Sequence, residues 1–225
     1  MESFHFHRRT ALKNVSTGFT LVELLIAFSI MVVIMSIVLT SQSSFNKTLI
    51  LANTAYDVAL SLHSAENFGL GGRVTRAGVI NAGYGIHFQG TPSSAYTLFA
   101  DSNLPNASNC HGLPPSGDVA APDAQFGNCV YDAGEKVSDY TLNNGITING
   151  LCVHTNNALA CTDVSSLDIV FARPNAEAFM STNGSYSAVP TVTSACITLT
   201  SPQGGSQFVS VTLAGQISAS ATSCL

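Results

Sequence analysis

The sequence predicts an α+β chain. One long N-terminal α-helix, membrane-spanning in its first half, packs on a C-terminal antiparallel β-sheet domain. Three observations predict it. Residues 19–68 contain neither Gly nor Pro. The start of that segment, Phe19 to Leu39, is apolar except for Thr20, Glu23, Ser29 and Ser36. After "GLGG" at Gly69 to Gly72, the pattern changes to short alternating runs separated by turn residues.

Charge is distributed unevenly. Arg8, Arg9 and Lys13 against Glu2 leave the first eighteen residues at +2, whereas the rest of the chain carries −7. A basic start followed by an apolar run is the pattern of an export signal or signal-anchor, with the basic side held in the cytoplasm. At about twenty residues the run is long enough to cross a bilayer as a helix. It exceeds the apolar core of an ordinary cleaved signal, and no A-x-A-like site follows it. A carboxylate such as Glu23 costs about 2.5–3.5 kcal/mol at the centre of a spanning helix, so it is expected to be functional and paired.

Beyond the apolar run the helix is expected to continue to Phe68, about 75 Å in all at 1.5 Å per residue, with the glycines as its stop. Phe45, Leu49, Ala52, Tyr56 and Ala59 form one stripe at alternating spacings of four and three. Leu51, Ala55, Val58, Leu62 and Ala65 form a second, about 120° away at 100° per residue. Asn46, Asn53, Asp57 and Ser61 occupy the remaining face. Two stripes suggest two burials, one against the chain's own domain and one against other helices; a helix sunk deeply into its own domain is the alternative.

The C-terminal body reads as about six strands. "GYGIHFQ" places Tyr84, Ile86 and Phe88 on one face, and "AYTLFAD" follows a Thr-Pro-Ser-Ser turn. "GITINGLCV" and "SLDIVFARP" are further strands. "ACITLTSPQGGSQFVSVTLAGQIS" is a hairpin with Pro-Gln-Gly-Gly at its tip and a last strand after Gly215. Between strands, 102–128 is a long loop rich in Pro, Gly, Ser and Asn. Asp101, Asn103, Asp132 and Glu135 bracket it with the oxygen ligands that Ca²⁺ takes, without EF-hand spacing. An ordinary solvated acidic turn is the competing expectation, and no other cofactor is expected.

All six cysteines, Cys110, Cys129, Cys152, Cys161, Cys196 and Cys224, follow the apolar run. An even count in an exported domain points to disulfides. Many connectivities are open; sequential pairing, 110–129, 152–161 and 196–224, is expected because each pair staples a local loop. A zinc site lacks any C-x₂-C spacing. No G-x-S-x-G, H-E-x-x-H, P-loop or G-x-G-x-x-G pattern is present, and His63, His87, His111 and His154 have no regular spacing. The expectation is a protein that is not an enzyme. The negative charge after Gly18 argues against nucleic-acid binding, with Arg73 and Arg76 the only close basic pair.

"TGFTLVELLIAFSIMVVI" resembles the N-terminal segment of type IV prepilins and type II secretion pseudopilins: Gly18, Phe19, Thr20, Leu21, Val22 and Glu23, then a long apolar helix. The closing "FVSVTLAGQIS" resembles H-type pseudopilins and minor pilins. The resemblance implies a pilin-like fold. A prepilin peptidase would remove a cytoplasmic leader, 1–18, cutting between Gly18 and Phe19 and methylating the Phe19 amine. The mature chain would then hold a helix over 19–68, transmembrane over 19–39, and an extracytoplasmic domain over 69–225. Its localisation would be the bacterial inner membrane, single-pass, with the C-terminal domain in the periplasm or outside. Its partners would be other subunits, the peptidase and the inner-membrane assembly platform, with Glu23 pairing the Phe19 amine of a neighbour in a filament. The absence of Pro or Gly from Met31 to Leu39 departs from many major pilins and favours a minor component. A Cys196–Cys224 bridge would favour a pilin. The other readings are an anchored extracytoplasmic binding or hydrolytic domain with an uncleaved signal-anchor, and a DNA-uptake pilin.

Overall fold

The computed structural model describes residues 18–75, 82–90, 92–102, 110, 127–156, 160–174, 176–187, 191–220 and 222–224, with the backbone alone for 40–45. Its one described helix, α1, spans Leu21–Leu70. The chain forms two compact units, Met1–Ser44 and Phe45–Leu225, so the division falls within α1.

In the first unit, α1 begins after Thr20. The Glu23 N–H donates to Thr20 Oγ1 at 3.2 Å, and the Leu24 N–H to the Thr20 carbonyl at 3.2 Å. The hydroxyl therefore satisfies one of the N–H groups that a helix start leaves without a partner. This is why the helix starts at Leu21 and not at Phe19. Ser29 and Ser36 donate their hydroxyls back to the Ile26 and Val32 carbonyls, so neither adds an unmet polar group to the apolar run.

The second unit holds the rest of α1 and ten strands: β1 Gly83–Gln89, β2 Ala95–Asp101, β3 Lys136–Thr141, β4 Thr147–Thr155, β5 Thr162–Asp163, β6 Ser166–Phe171, β7 Ala178–Thr182, β8 Val192–Thr200, β9 Ser206–Thr212 and β10 Ile217–Ser220. They form two five-stranded antiparallel sheets, ordered β3-β2-β1-β6-β7 and β10-β9-β8-β4-β5. The sequence suggests about six strands, and it leaves three, β3, β5 and β7, unnamed for physical reasons. β3 is a polar edge strand with little burial, β5 is two residues long, and β7 follows Pro174 without clear alternation.

One core lies between α1 and both sheets. Leu51, Ala55, Val58, Leu62 and Ala65 of α1 meet Ile86, Phe88, Leu167 and Ile169 of one sheet and Leu151, Ile197, Val209 and Val211 of the other. The second stripe of the helix is thus the buried one. At its end the helix comes so close to β6 that a Cβ on Gly69 would lie 2.1 Å from the Phe171 carbonyl oxygen. Gly72, at φ +61°, supplies the left-handed residue of a Schellman cap, in which the Arg73 N–H returns to the Phe68 carbonyl and the guanidinium lies over the Phe68 ring. Gly69 is therefore a packing residue inside the last turn and Gly72 is the stop, which extends the helix two residues past the expected Phe68.

The outer face of the first sheet is also covered. Phe99 and Val170 pack with the Cys110–Cys129 bridge, Tyr131, Phe179 and Tyr186. This explains why β1 and β6 are buried on both faces.

Candidate functional site

Leu21–Leu39 is the one described helical segment long and apolar enough to cross a membrane, and none of it is buried within the chain. Nineteen residues at 1.5 Å each give about 28 Å, close to the ~30 Å hydrocarbon layer of a bilayer. Gly18 and Phe19 precede the cap and are exposed. Glu23 is the third helical residue, and Thr20-x-x-Glu23 is the spacing of a capping box. Its backbone N–H is used by Thr20, while its carboxylate has no partner among the described residues. A carboxylate in the first turn is favoured by the helix dipole. The [ST]-x-x-[DE] spacing ahead of an apolar run is a signal legible in sequence that the reading above missed.

Within the second unit, α1 leaves a ridge uncovered. Leu49, Tyr56 and Leu60 are exposed, with Asn53, His63 and Asn67 completing the stripe. Of the first stripe, Ala59 is buried, so Leu60 takes its place on the ridge. Phe45 lies outside the described side chains. Two clefts flank the ridge. One, about 500 Å³, lies against Tyr96 and Tyr140; the other, about 430 Å³, lies against Ile217 and Ala219 of β10. Ser61, expected on the polar face, is buried and bonds the Tyr96 hydroxyl at 2.9 Å. Burial holds the Tyr96 hydroxyl above its ordinary pKa, against the lowering effect of Ser61.

The cysteines pair as Cys110–Cys129, Cys152–Cys161 and Cys196–Cys224, with Cα separations of 5.8, 5.7 and 5.8 Å. Of the calcium candidates, Asn103 lies outside the described residues. Asp101 is fully buried, and its two oxygens accept the N–H groups of Asn128 and Cys129 at 2.9 and 2.8 Å. The Glu135 oxygens accept those of Ser102 and Asp132 at 2.8 and 3.0 Å. Asp132 accepts from the Asn128 amide at 2.7 Å. Asp101 and Glu135 thus hold backbone donors on both sides of 103–126, at Ser102 and at Asn128 and Cys129. Cys110 and Cys129 also lie beside Asp101, but their sulfurs are in the disulfide and present no thiolate to a metal.

A polar row crosses the outer face of the first sheet, and sequence reasoning missed it. His87, Asp168 and Ser181 are successive cross-strand partners on β1, β6 and β7. His87 Nδ1 bonds Asp168 Oδ1, the ring lies 4.6 Å from Tyr131, and Ser181 donates to the Cys129 carbonyl. Burial works to lower the His87 pKa, but the Asp168 hydrogen bond and charge outweigh it and raise the pKa above its ordinary value. The aspartate stands between histidine and serine, and the serine proton is already given to a carbonyl. The row therefore lacks the serine–histidine contact of a hydrolytic triad. It fastens the residues after the 102–128 loop to the sheet. Cys129, at φ +59°, is held at its N–H by Asp101, at its carbonyl by Ser181 and at its sulfur by Cys110, the over-determination that a left-handed non-glycine requires. Of the remaining candidates, His63 bonds Glu66 on the helix surface, and Arg76 and His111 lie outside the described residues.

An exposed apolar helix long enough to cross a membrane, with a glycine before it and a carboxylate in its first turn, is the arrangement of a membrane anchor with a processing motif. Residues 13–39 match the family model described as the prokaryotic N-terminal methylation motif. That motif is the signature of the type IV pilin and pseudopilin family, whose members are prepilin peptidase substrates and assemble with other pilin subunits. No curated protein and no solved structure matches the chain.

Proposed function

We propose that this chain is a structural subunit of a helical filament, a pseudopilin of a type II secretion pseudopilus or a minor type IV pilin. It is cut between Gly18 and Phe19, methylated on Phe19, and assembled through α1 from the inner membrane, with its β domain on the periplasmic or outer side. It has no catalysis of its own and needs no cofactor.

One observation carries this reading: the matched methylation motif coincides with a helix whose apolar surface is wholly uncovered and whose Glu23 carboxylate has no partner among the described residues. In a low dielectric such a carboxylate gains from an opposite charge and loses when left against lipid. The Phe19 amine of a neighbouring copy supplies that charge and fixes the register between subunits. The exposed ridge of Leu49, Tyr56 and Leu60 offers neighbouring subunits a second apolar surface. The Cys196–Cys224 bridge, which ties the C-terminal residues to β8, favours the pilin form of the reading over the pseudopilin form.

The test is assembly of Glu23→Leu. The variant is expected to be cleaved and methylated as the wild type is, yet to be missing from sheared filaments. Incorporation at the wild-type level would contradict the reading.

A further inference from the structure

Two of the three disulfides each have one cysteine in the same cross-strand pair. Cys152 on β4 and Cys196 on β8 are direct cross-strand partners. Their neighbours Leu151, Val153, Ala195 and Ile197 face the core, so alternation turns both cysteines to the outer face of the second sheet. Directly opposed residues in an antiparallel pair have Cα atoms about 4.5–5.5 Å apart, within the ~4.4–6.8 Å range that a disulfide spans. The bonds that Cys152 and Cys196 make, to Cys161 and Cys224, span 5.7 and 5.8 Å between Cα atoms. Each of the two strand cysteines therefore has two partners within bonding range, its present one and the other strand cysteine.

Accessibility differs within this quartet in a useful way. Cys196 is buried, while Cys152, Cys161 and Cys224 are partly exposed. An incoming thiolate reaches Cys161 or Cys224 more readily than Cys196, and the strand cysteine is the leaving group. That thiolate is released opposite the second disulfide, held there by the ladder.

We propose that Cys152, Cys161, Cys196 and Cys224 form one thiol–disulfide exchange site, with a Cys152–Cys196 cross-strand bond and a Cys161–Cys224 bond as its second state. The reagent is a thiolate, supplied by a small thiol or a thiol–disulfide oxidoreductase. The reagent thiolate attacks Cys161 Sγ, forming a mixed disulfide and releasing the Cys152 thiolate. Cys152 attacks Cys196 Sγ, forming the cross-strand bond and releasing the Cys224 thiolate. Cys224 attacks the mixed disulfide at Cys161, forming the fourth bond and regenerating the reagent thiolate. Two protein disulfides are present before and after, so no net oxidant or reductant is consumed. The exchange moves the tether of the C-terminal residues from β8 to the β4–β5 connection, changing what holds the end of the chain.

The third bridge supplies the internal control. Cys110 and Cys129 are buried on the outer face of the other sheet. Scrambling through unfolding would mix them with the other four, whereas native exchange leaves them paired.

The experiment treats the full-length wild-type protein in detergent micelles with substoichiometric reduced glutathione, quenches with acid and maps linked peptides without reduction. The expected result is appearance of the Cys152–Cys196 and Cys161–Cys224 peptide pairs, absent before treatment, with Cys110–Cys129 unchanged. Recovery of the original pairs alone, at a thiol level that labels Cys161 as a mixed disulfide, would overturn the proposal, as would new pairs that include Cys110 or Cys129. A Cys161→Ser, Cys224→Ser double variant gives a second reading in chains that retain the Cys110–Cys129 bridge. Air oxidation is expected to join Cys152 to Cys196 within one chain, and two persistent free thiols would contradict the geometry.

Discussion

The two parts of α1 meet opposite fates. From Leu51 to Ala65 the helix buries a full stripe against two sheets, while from Leu21 to Leu39 nothing within the chain is buried. Carboxylates divide the same way. Asp101, Glu135 and Asp168 are buried, and each has a partner within the chain, two of them backbone N–H donors and one a histidine. Glu23 has none among the described residues. The β unit buries most of its apolar side chains and partners these carboxylates, whereas the N-terminal segment carries exposed apolar surface and a carboxylate without a partner among the described residues. Stability resides in the first of these regions, and assembly is placed by our reading in the second.

Substitutions should separate the two. Leu62→Ala removes a fully buried side chain from the helix–sheet core and is expected to cost about 2–5 kcal/mol, read as a lower denaturant midpoint for the full chain in micelles. A loss under 1 kcal/mol (about half the smallest value expected) would mean the stripe is not core. Asp101→Ala orphans the Asn128 and Cys129 N–H groups, at about 1–3 kcal/mol for the buried Cys129 donor and less for the partly exposed Asn128 donor. The accompanying sign is faster proteolysis within 102–128. Gly69→Ala forces the helix end away from the Phe171 carbonyl and should cost about 1–3 kcal/mol as overpacking; an unchanged melt would show that the close approach is not needed.

The His87–Asp168 pair, in which the aspartate is buried and the histidine partly so, makes a pH prediction. The folded pKa of His87 is raised, so its contribution is fully present below the unfolded value of 6.5 and is lost as pH rises through the higher folded value. Stability of the wild type should therefore fall across that interval, and His87→Gln should flatten the fall; parallel curves would remove the pair from the account. The smallest effect is expected at Leu60, exposed on the same helix turn as buried Leu62. Leu60→Ala should change stability by no more than about 0.5 kcal/mol while reducing recovery in filaments.

Much of this was legible beforehand because it is written in local pattern. The absence of Gly and Pro from 19–68 marks the helix and its two apolar stripes mark two faces, but that the Leu51–Ala65 stripe is the one the sheets cover is shown only by the fold. Gly18, Phe19 and Glu23 stand in a contiguous motif. What was not legible depends on partners distant in the chain. Asp101 reads as an acidic loop residue until the backbone 27 and 28 residues later returns to it. The His87–Asp168–Ser181 row exists only once β1, β6 and β7 are in register. β3 and β5 owe their pairing to neighbouring strands, with little apolar signal of their own. Leu60 replaces Ala59 on the ridge because the helix is covered by two sheets, and their combined arc reaches Ala59.

The most direct test of the account is the intact mass of the protein purified from its native membrane. The account predicts a chain that begins at Phe19 and is one methyl group heavier than that sequence. A chain still beginning at Met1, from cells whose prepilin peptidase is active, would contradict it and leave an uncleaved signal-anchor carrying an extracytoplasmic domain.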